Sequence, residues 1–415
     1  MSYRITRRGA LAGALAGTSL AVGSRRAWSQ AKPIRIGVTQ TISGPLAYVG
    51  TQHVMGARVA AKLVNDAGGI EGRKVELVVR DTRANANDMV AALRELAGDG
   101  INLVFGEAFS TPNLAAWPIV PSLGMIYVPA SVVAMELNHD LFNRNCFRAS
   151  QNAYMEYVGQ AQVIADRHIK AKRWGAIVAD AAGFRVSQQY FYVGMKRHYA
   201  AKGAPLELID PVIAKVGAGD YRNQINELVG QKLDGIIMAV TGGELITFVK
   251  QAKAFGLLNN LQAMCDMTYN TVLGPTLKKD TPQNYWTSCT WTRDAFKHLP
   301  LSEAFYKLAV EESKNAIPDP FLAQAQAAMA TLIEGVRNAK SLDTETLIKT
   351  IETTPFDTVY GKLAFRAEDH QLKVDPGYIR YAPDDSAEGW KIAEYVKIPW
   401  AEAIEAPSPG KKFEG

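Results

Sequence analysis

The sequence predicts an α/β protein of two lobes, each a parallel sheet flanked by helices. Three observations carry this. At 415 residues the chain is long enough for two domains of ordinary size. Its 47% hydrophobic and 21% charged residues are the balance of a globular chain, which excludes disorder, collagen or coiled coil as a description of the whole. Strand-like segments alternate with helix-like ones, and the alternation restarts near residue 150, the pattern of two separate sheets covered by helices.

The elements follow in order. A β-branched run at 34–39 is read as the first strand, and apolar residues at helical spacing over 47–65 as the first helix. KVELVVR at 74–80 is a strand, 87–98 a helix and 101–105 a strand. A proline-interrupted helix is expected at 112–123 and a strand at 125–128. The stretch 108–135 lacks charge, but Pro112, Pro118, Pro121 and Pro129 each remove a backbone donor, so a buried strand–helix–strand segment fits it better than a membrane span. The second series runs helix 154–168, strand 174–179, helix 187–201, strand 206–213, helix 221–231, strand 235–240 and helix 245–255. The last third reads as helices at 301–315, 321–339 and 344–352, then short strands at 362–365, 378–381 and 391–396. That is too little for a third domain, so it is expected to complete the other two. The division is a first lobe at 32–150 completed by about 290–355, a second at 151–289 completed by about 356–398, and a peripheral tail at 399–415.

Residues 1–31 have the order of a secretory signal: a basic start, a short uncharged Ala/Gly/Leu-rich run and small residues at the end. Arg7-Arg8 within Thr6-Arg7-Arg8-Gly9-Ala10-Leu11 resembles a twin-arginine signal, with a general secretory signal as the alternative. Cleavage is expected after Ser29 or Ala31. This segment carries Arg4, Arg7, Arg8, Arg25 and Arg26 and no acid, so the net charge of +5 lies entirely in it. The remainder is formally neutral and gives no reason to expect nucleic acid as a partner. Cys146, Cys265 and Cys289 are an odd number in an exported chain, have no zinc-site spacing and read as buried hydrophobes.

No nucleophile elbow, zinc-protease helix, paired-cysteine motif or phosphate loop is present, and the six histidines are scattered. Neither a metal nor a cofactor is expected, and a binding protein is favoured over an enzyme. The candidates for chemistry lie in loops after strands, where open α/β sheets bind ligands. In the first lobe these are 43–48, 106–111 and 129–131; in the second, 180–184, 241–244 and 265–266. Ser110 and Thr111 stand where backbone donors favour an anionic group, though Ser110 also reads as a plain helix cap.

At this point the chain resembles a family, the type I periplasmic solute-binding proteins of ABC transporters, in their leucine/isoleucine/valine-binding branch. The resemblance rests on Ile42-Ser43-Gly44-Pro45, Gly56-Ala57, Asn65-Asp66-Ala67-Gly68-Gly69-Ile70-Glu71-Gly72-Arg73 and Asp81, supported by Phe147-Arg148, Asp234, 251–256 and 361–365. It implies two Rossmann-like lobes joined by a three-crossing hinge, a type I clamshell with the ligand in its cleft. By the same resemblance Ser110 and Thr111 would bind a carboxylate, Ala130 and Ser131 the amino-acid head group, and Asp266 the ammonium. Tyr48, Phe109 and Phe184 would surround the side chain and Thr241 falls where an aromatic often sits; Val49 is the alternative to Tyr48, and Cys265, one residue earlier, to Asp266. Phe184 and Thr241 depart from the aromatic hydroxyls of amino-acid binders, and Glu107 puts an acid beside the carboxylate loop as a further candidate. The implied function is a periplasmic, monomeric receptor that hands a branched-chain or other small apolar amino acid to an inner-membrane ABC permease. An aromatic or aliphatic carboxylate, a small amide, or a sensor role are the alternatives.

Overall fold

The computed structural model describes residues 32–44, 46–240, 242–267 and 272–414. The expected export segment 1–31, with Arg7, Arg8 and both cleavage positions, lies outside the described residues, as do Pro45 and Thr241. Among the described residues, no helix is long and apolar enough to cross a membrane.

The first sheet has four parallel strands, β1 (Ile34–Gln40), β2 (Val75–Asp81), β3 (Leu103–Gly106) and β4 (Ile126–Pro129), in the order β2–β1–β3–β4. Ile34, Ile36, Val38, Phe105 and Val128 are buried in its core. Helix Ala47–Asp66 covers one face and helix Ala86–Gly98 belongs to the other. The latter starts where Asn85 accepts hydrogen bonds from the backbone of Asn87 and Asp88, which satisfies two otherwise orphaned donors. Helix Pro320–Ala339, from the last third of the chain, lies against Ala47–Asp66. They approach so closely that a Cβ on Gly56 would stand 2.4 Å from the Leu322 carbonyl oxygen, so only glycine fits there.

The second sheet begins with β5 (Arg173–Ala179), the short β6 (Glu207–Leu208) and β7 (Val212–Ala214), β8 (Gly235–Ala239), β9 (Ala263–Asp266) and β10 (Tyr285–Ser288). A separate hairpin, β11 (Phe356–Thr358) and β12 (Gly361–Leu363), precedes β13 (Gly377–Pro383) and β14 (Trp390–Lys397). The order is β14–β13–β10–β9–β8–β5–β6, with β7 also on β5. Strands β5 to β10 pair in parallel; β13 runs antiparallel to both β10 and β14. Two further cores, one on Trp174, Phe191 and Trp286, the other on Ile236, Phe248 and Tyr285, lie on this sheet.

The chain passes between the cores three times. Ala149 is in the first core and Ala153 in the second; Cys289 packs on the second sheet and Trp291 with Val59 of the first lobe; Val374 is in the first core and Tyr378 in the second. The α/β class and the parallel, helix-flanked sheets are as the sequence predicts.

Several boundaries differ, for physical reasons. The strands β9 and β10 are absent from the sequence reading, since four residues each (AMCD and YWTS) are too few to display a period. The single strand expected at 206–213 is two, interrupted before Pro211. The helix expected at 112–123 is Ser110–Ala116, ending ahead of Pro118. Phe356, Phe365, Leu372 and Val374 pack in the first core, so the stretch after 355 returns to the first lobe before β13 joins the second.

The tail at 399–415 is mostly exposed over its described part but is anchored at two buried residues. Ala403 is in a core of the second lobe, and Glu405 is 6% exposed. Glu405 accepts a 2.6 Å hydrogen bond from Asn152 Nδ2, lies 3.3 Å from His139 Nε2, and its carbonyl accepts from Arg366 at 2.6 Å. Burial pushes the Glu405 carboxyl up, but the bonds from His139 and Asn152 outweigh it and hold it below the usual value. Further on, Phe413 stacks on His139 at 4.8 Å and meets Tyr154 edge-on at 5.7 Å. These partners are distant in sequence, so no local pattern announces them. All three cysteines are free and buried, as read.

Candidate functional site

The candidate loops sit at the C-terminal ends of the strands. In the first lobe β1 ends at Gln40, β3 at Gly106 and β4 at Pro129. Asp81, at the end of β2, holds the first loop: it accepts from the Ile42 backbone at 3.1 Å, from Ser43 Oγ at 2.5 Å and from the Arg83 backbone at 3.0 Å. Its slight burial pushes its pKa up, but these three donors pull it below the usual value. Gly44 has φ +80°, which the turn into the helix requires.

Glu107 follows β3 and is fully buried. Its Oε2 accepts from Thr41 Oγ1 at 3.0 Å and from Thr82 Oγ1, and its Oε1 accepts from the backbone of Ala108 at 2.7 Å and of Phe109 at 3.4 Å. Burial raises its pKa, and these donors only partly offset the shift. The carboxyl therefore ties together the ends of β1, β2 and β3 from within. Glu107 precedes the Ser110 loop, and its side chain points inward to these donors.

Phe109, not Ser110, is the capping residue of helix Ser110–Ala116, and Ser110 and Thr111 form its first turn. Ser110 is half-buried and Thr111 exposed, and neither hydroxyl has a hydrogen-bond partner among the described residues. Asn113 Nδ2 bonds both the Glu107 carbonyl at 2.8 Å and the Phe109 carbonyl at 2.7 Å, and Asn113 Oδ1 accepts from Tyr127. The loop is thus braced from below while its hydroxyls stay open. Ala130 is fully buried, which leaves only its backbone for a ligand, and Ser131 is half-buried.

Tyr48 opens helix Ala47–Asp66, is 46% exposed, and donates to Asp319 Oδ2 at 2.8 Å. Asp319 caps helix Pro320–Ala339 through a 2.9 Å bond from the Phe321 backbone. Burial and the Asp319 charge push the Tyr48 hydroxyl upward. The sequence reading did not include Asp319; an Asp before Pro-Phe at a helix start carries only the signal of a cap.

In the second lobe Asp266 closes β9 and is fully buried. Its Oδ2 accepts from Thr287 Oγ1 of β10 at 2.8 Å, and its carbonyl accepts from Gln160 Nε2 at 3.1 Å. Phe184 lies in the first turn of helix Ala182–Ala201, half-buried against the Trp174 core. Thr241, being outside the described residues, has no place in this geometry. At Tyr381 of β13 burial raises the pKa, and Cys289, then Asp319, Asp266 and Tyr48, add to the shift. Tyr48 is joined directly to Asp319, and Asp266 directly to Thr287, each on its own lobe. The candidate set is a half-exposed tyrosine bonded to Asp319, a second carboxylate at the end of β9 and the open hydroxyls of the Ser110 loop. Such a set can hold a small zwitterion; no nucleophile–base pair is formed by it.

A family model described as periplasmic binding protein matches residues 33–386. The Leu/Ile/Val-binding protein homolog 1 of Brucella melitensis is 25% identical over 376 residues, spanning 88% of this chain and 93% of that protein. Among solved structures, a leucine-, isoleucine-, valine-, threonine- and alanine-binding protein of Brucella ovis in its closed conformation superposes with a TM-score of 0.78 at 18% identity, covering 92% of this chain and 99% of that one. A solute-binding protein of an ABC transporter from Rhodopseudomonas palustris, in complex with 3,4-dihydroxybenzoic acid, gives a TM-score of 0.73 at 16% identity, covering 91% and 99%.

Proposed function

The chain belongs to the periplasmic binding protein family, and we propose that it is the solute receptor of an ABC importer, closing two lobes around a small apolar amino acid of the branched-chain type. What supports this reading most is Tyr48, bonded to Asp319 at the helix ends of the first lobe, and the buried Asp266 at the C-terminal end of β9 in the second. Ser110 and Thr111 receive the ligand carboxylate, aided by the backbone of Ala130 and by Ser131. Asp266 takes the ammonium, and Tyr48, Phe109 and Phe184 bound the side chain. Glu107 shapes the loop and does not touch the ligand. The protein is exported by the twin-arginine route and works in the periplasm as a monomer. It performs no catalysis, needs no metal or cofactor, and hands its cargo to an inner-membrane permease.

Thermal unfolding with leucine, isoleucine and valine tests this. A ligand at 100 times its dissociation constant stabilises the folded state by about 2.7 kcal/mol. If no proteinogenic amino acid raises Tm, the amino-acid reading fails. A second reading, an aromatic carboxylate in the same cleft, is favoured by Phe184 standing where a hydroxyl-bearing ring was expected, and by the relative that binds 3,4-dihydroxybenzoic acid. A shift in Tm with that acid and none with amino acids would select it.

A further inference from the structure

We propose that the molecule carries a second small-molecule site, sharing no residue with the cleft, that takes a planar organic anion of the aromatic-carboxylate class. A cavity of about 280 Å³ lies beside the third crossing, just below the roughly 300–1,000 Å³ typical of ligand pockets. Its walls come from both lobes: Tyr360 and Lys373 on the side of the first, Lys397 of β14 and Trp400 on the side of the second. Tyr360 also bonds Thr290 at 3.1 Å, so the wall reaches the second crossing.

The charges of this cavity do not balance. Lys397 Nζ lies 3.2 Å from Asp375, whose other oxygen accepts from the Trp400 backbone at 2.9 Å. Lys362 Nζ lies 3.5 Å from Asp357. Lys373 has no carboxylate within 4.0 Å among the described residues; its ammonium stands 5.4 Å from the centre of the Trp400 ring. A π face compensates a half-buried ammonium only in part. A carboxylate would complete it, while the Trp400 and Tyr360 rings would cover the flat face of an attached ring. A cavity of this size holds one ring and one carboxylate, and its mixed walls favour such a molecule over an inorganic ion, which would leave the aromatic surface unused.

Titration calorimetry with benzoate tests the site, with benzyl alcohol as the neutral comparison. Benzoate should bind the wild-type protein, and benzyl alcohol at least about tenfold more weakly, since a hydrogen bond to a charged group is lost. Lys373→Gln should weaken benzoate by a similar factor, and Lys373→Met, which keeps the apolar stem, should do the same. Ser110→Ala should leave benzoate binding unchanged. Unaltered binding in both Lys373 variants would overturn the proposal, as would a few-fold weakening of benzoate on Ser110→Ala, which would locate the benzoate in the cleft. Absence of benzoate binding to the wild-type protein at millimolar concentration would overturn it as well.

Discussion

Glu107 follows β3 in the first lobe, and Asp266 closes β9 in the second; both carboxylates are fully buried. Glu107 is enclosed by its own lobe, since Thr41, Thr82 and two backbone amides all donate to it. Asp266 receives Thr287 from the neighbouring strand and lies at the C-terminal end of β9, where the loops of this lobe begin. Equal burial thus accompanies different work. The first lobe spends its acid on bracing the loops that carry Ser110 and Thr111, whose hydroxyls stay open. The second holds its acid at a strand tip. An anionic group suits the first side, and a cationic group the second.

The sharpest way to break this contrast is Asp266→Ala. Removing one member of a buried charge pair costs about 2–5 kcal/mol, so amino-acid affinity measured by calorimetry should fall on the order of 30-fold or more. An unchanged affinity would remove Asp266 from the site. Glu107→Ala should act on stability instead, by about 2–4 kcal/mol in denaturant unfolding, because four donors lose their acceptor. Its pH dependence has a definite sign. The folded-state pKa is raised, so the folded state binds more protons than the unfolded one between the ordinary carboxylate value and the raised one. The contribution of Glu107 is fully present below the ordinary value and is lost as pH rises through the raised one. Glu107→Gln should remove that pH-dependent loss, which urea midpoints from pH 4 to 8 would reveal.

The contrast also assumes two bodies that move against each other, and the tail touches both. Phe413→Ala, by removing the ring stacked on His139 and set against Tyr154, should cost about 1–2 kcal/mol of stability. An unchanged denaturation midpoint would show the tail to be idle. The smallest effect is expected at Ser110→Ala, about 1 kcal/mol or a few-fold in amino-acid affinity, since backbone donors at the loop remain. A loss as large as that of Asp266→Ala would place most of the carboxylate binding on one hydroxyl and reverse the ranking.

Much of the fold was legible because the motif residues act locally. Asn65 exchanges hydrogen bonds with the Val75 backbone at 2.8 and 2.9 Å, which fixes the turn from the first helix into β2. Gly69, at φ +80°, would put a Cβ 2.2 Å from the Arg73 carbonyl oxygen. Asp81 holds Ser43, and Asp234 accepts the backbone of Lys172 and Arg173 at 2.8 and 2.9 Å. The most specific part of the resemblance is therefore a set of structural locks, which identifies the fold while saying little about the ligand. The site was less legible. Tyr48, Ser110 and Asp266 were named from loop position, but Asp319 lies 271 residues from its partner Tyr48 and shows in sequence only as a helix cap. Likewise the short strands β9 and β10, which set the depth of Asp266, and the return of 356–374 to the first core depend on contacts that no window of the sequence contains.

Two lobes that hold one ligand by different charges should close on it, with the closed form favoured only when both are engaged. Small-angle scattering with and without saturating leucine, its occupancy set by calorimetry on the same sample, tests it most directly. A smaller radius of gyration in the leucine-bound protein is the predicted result. An identical scattering curve at full occupancy would contradict it.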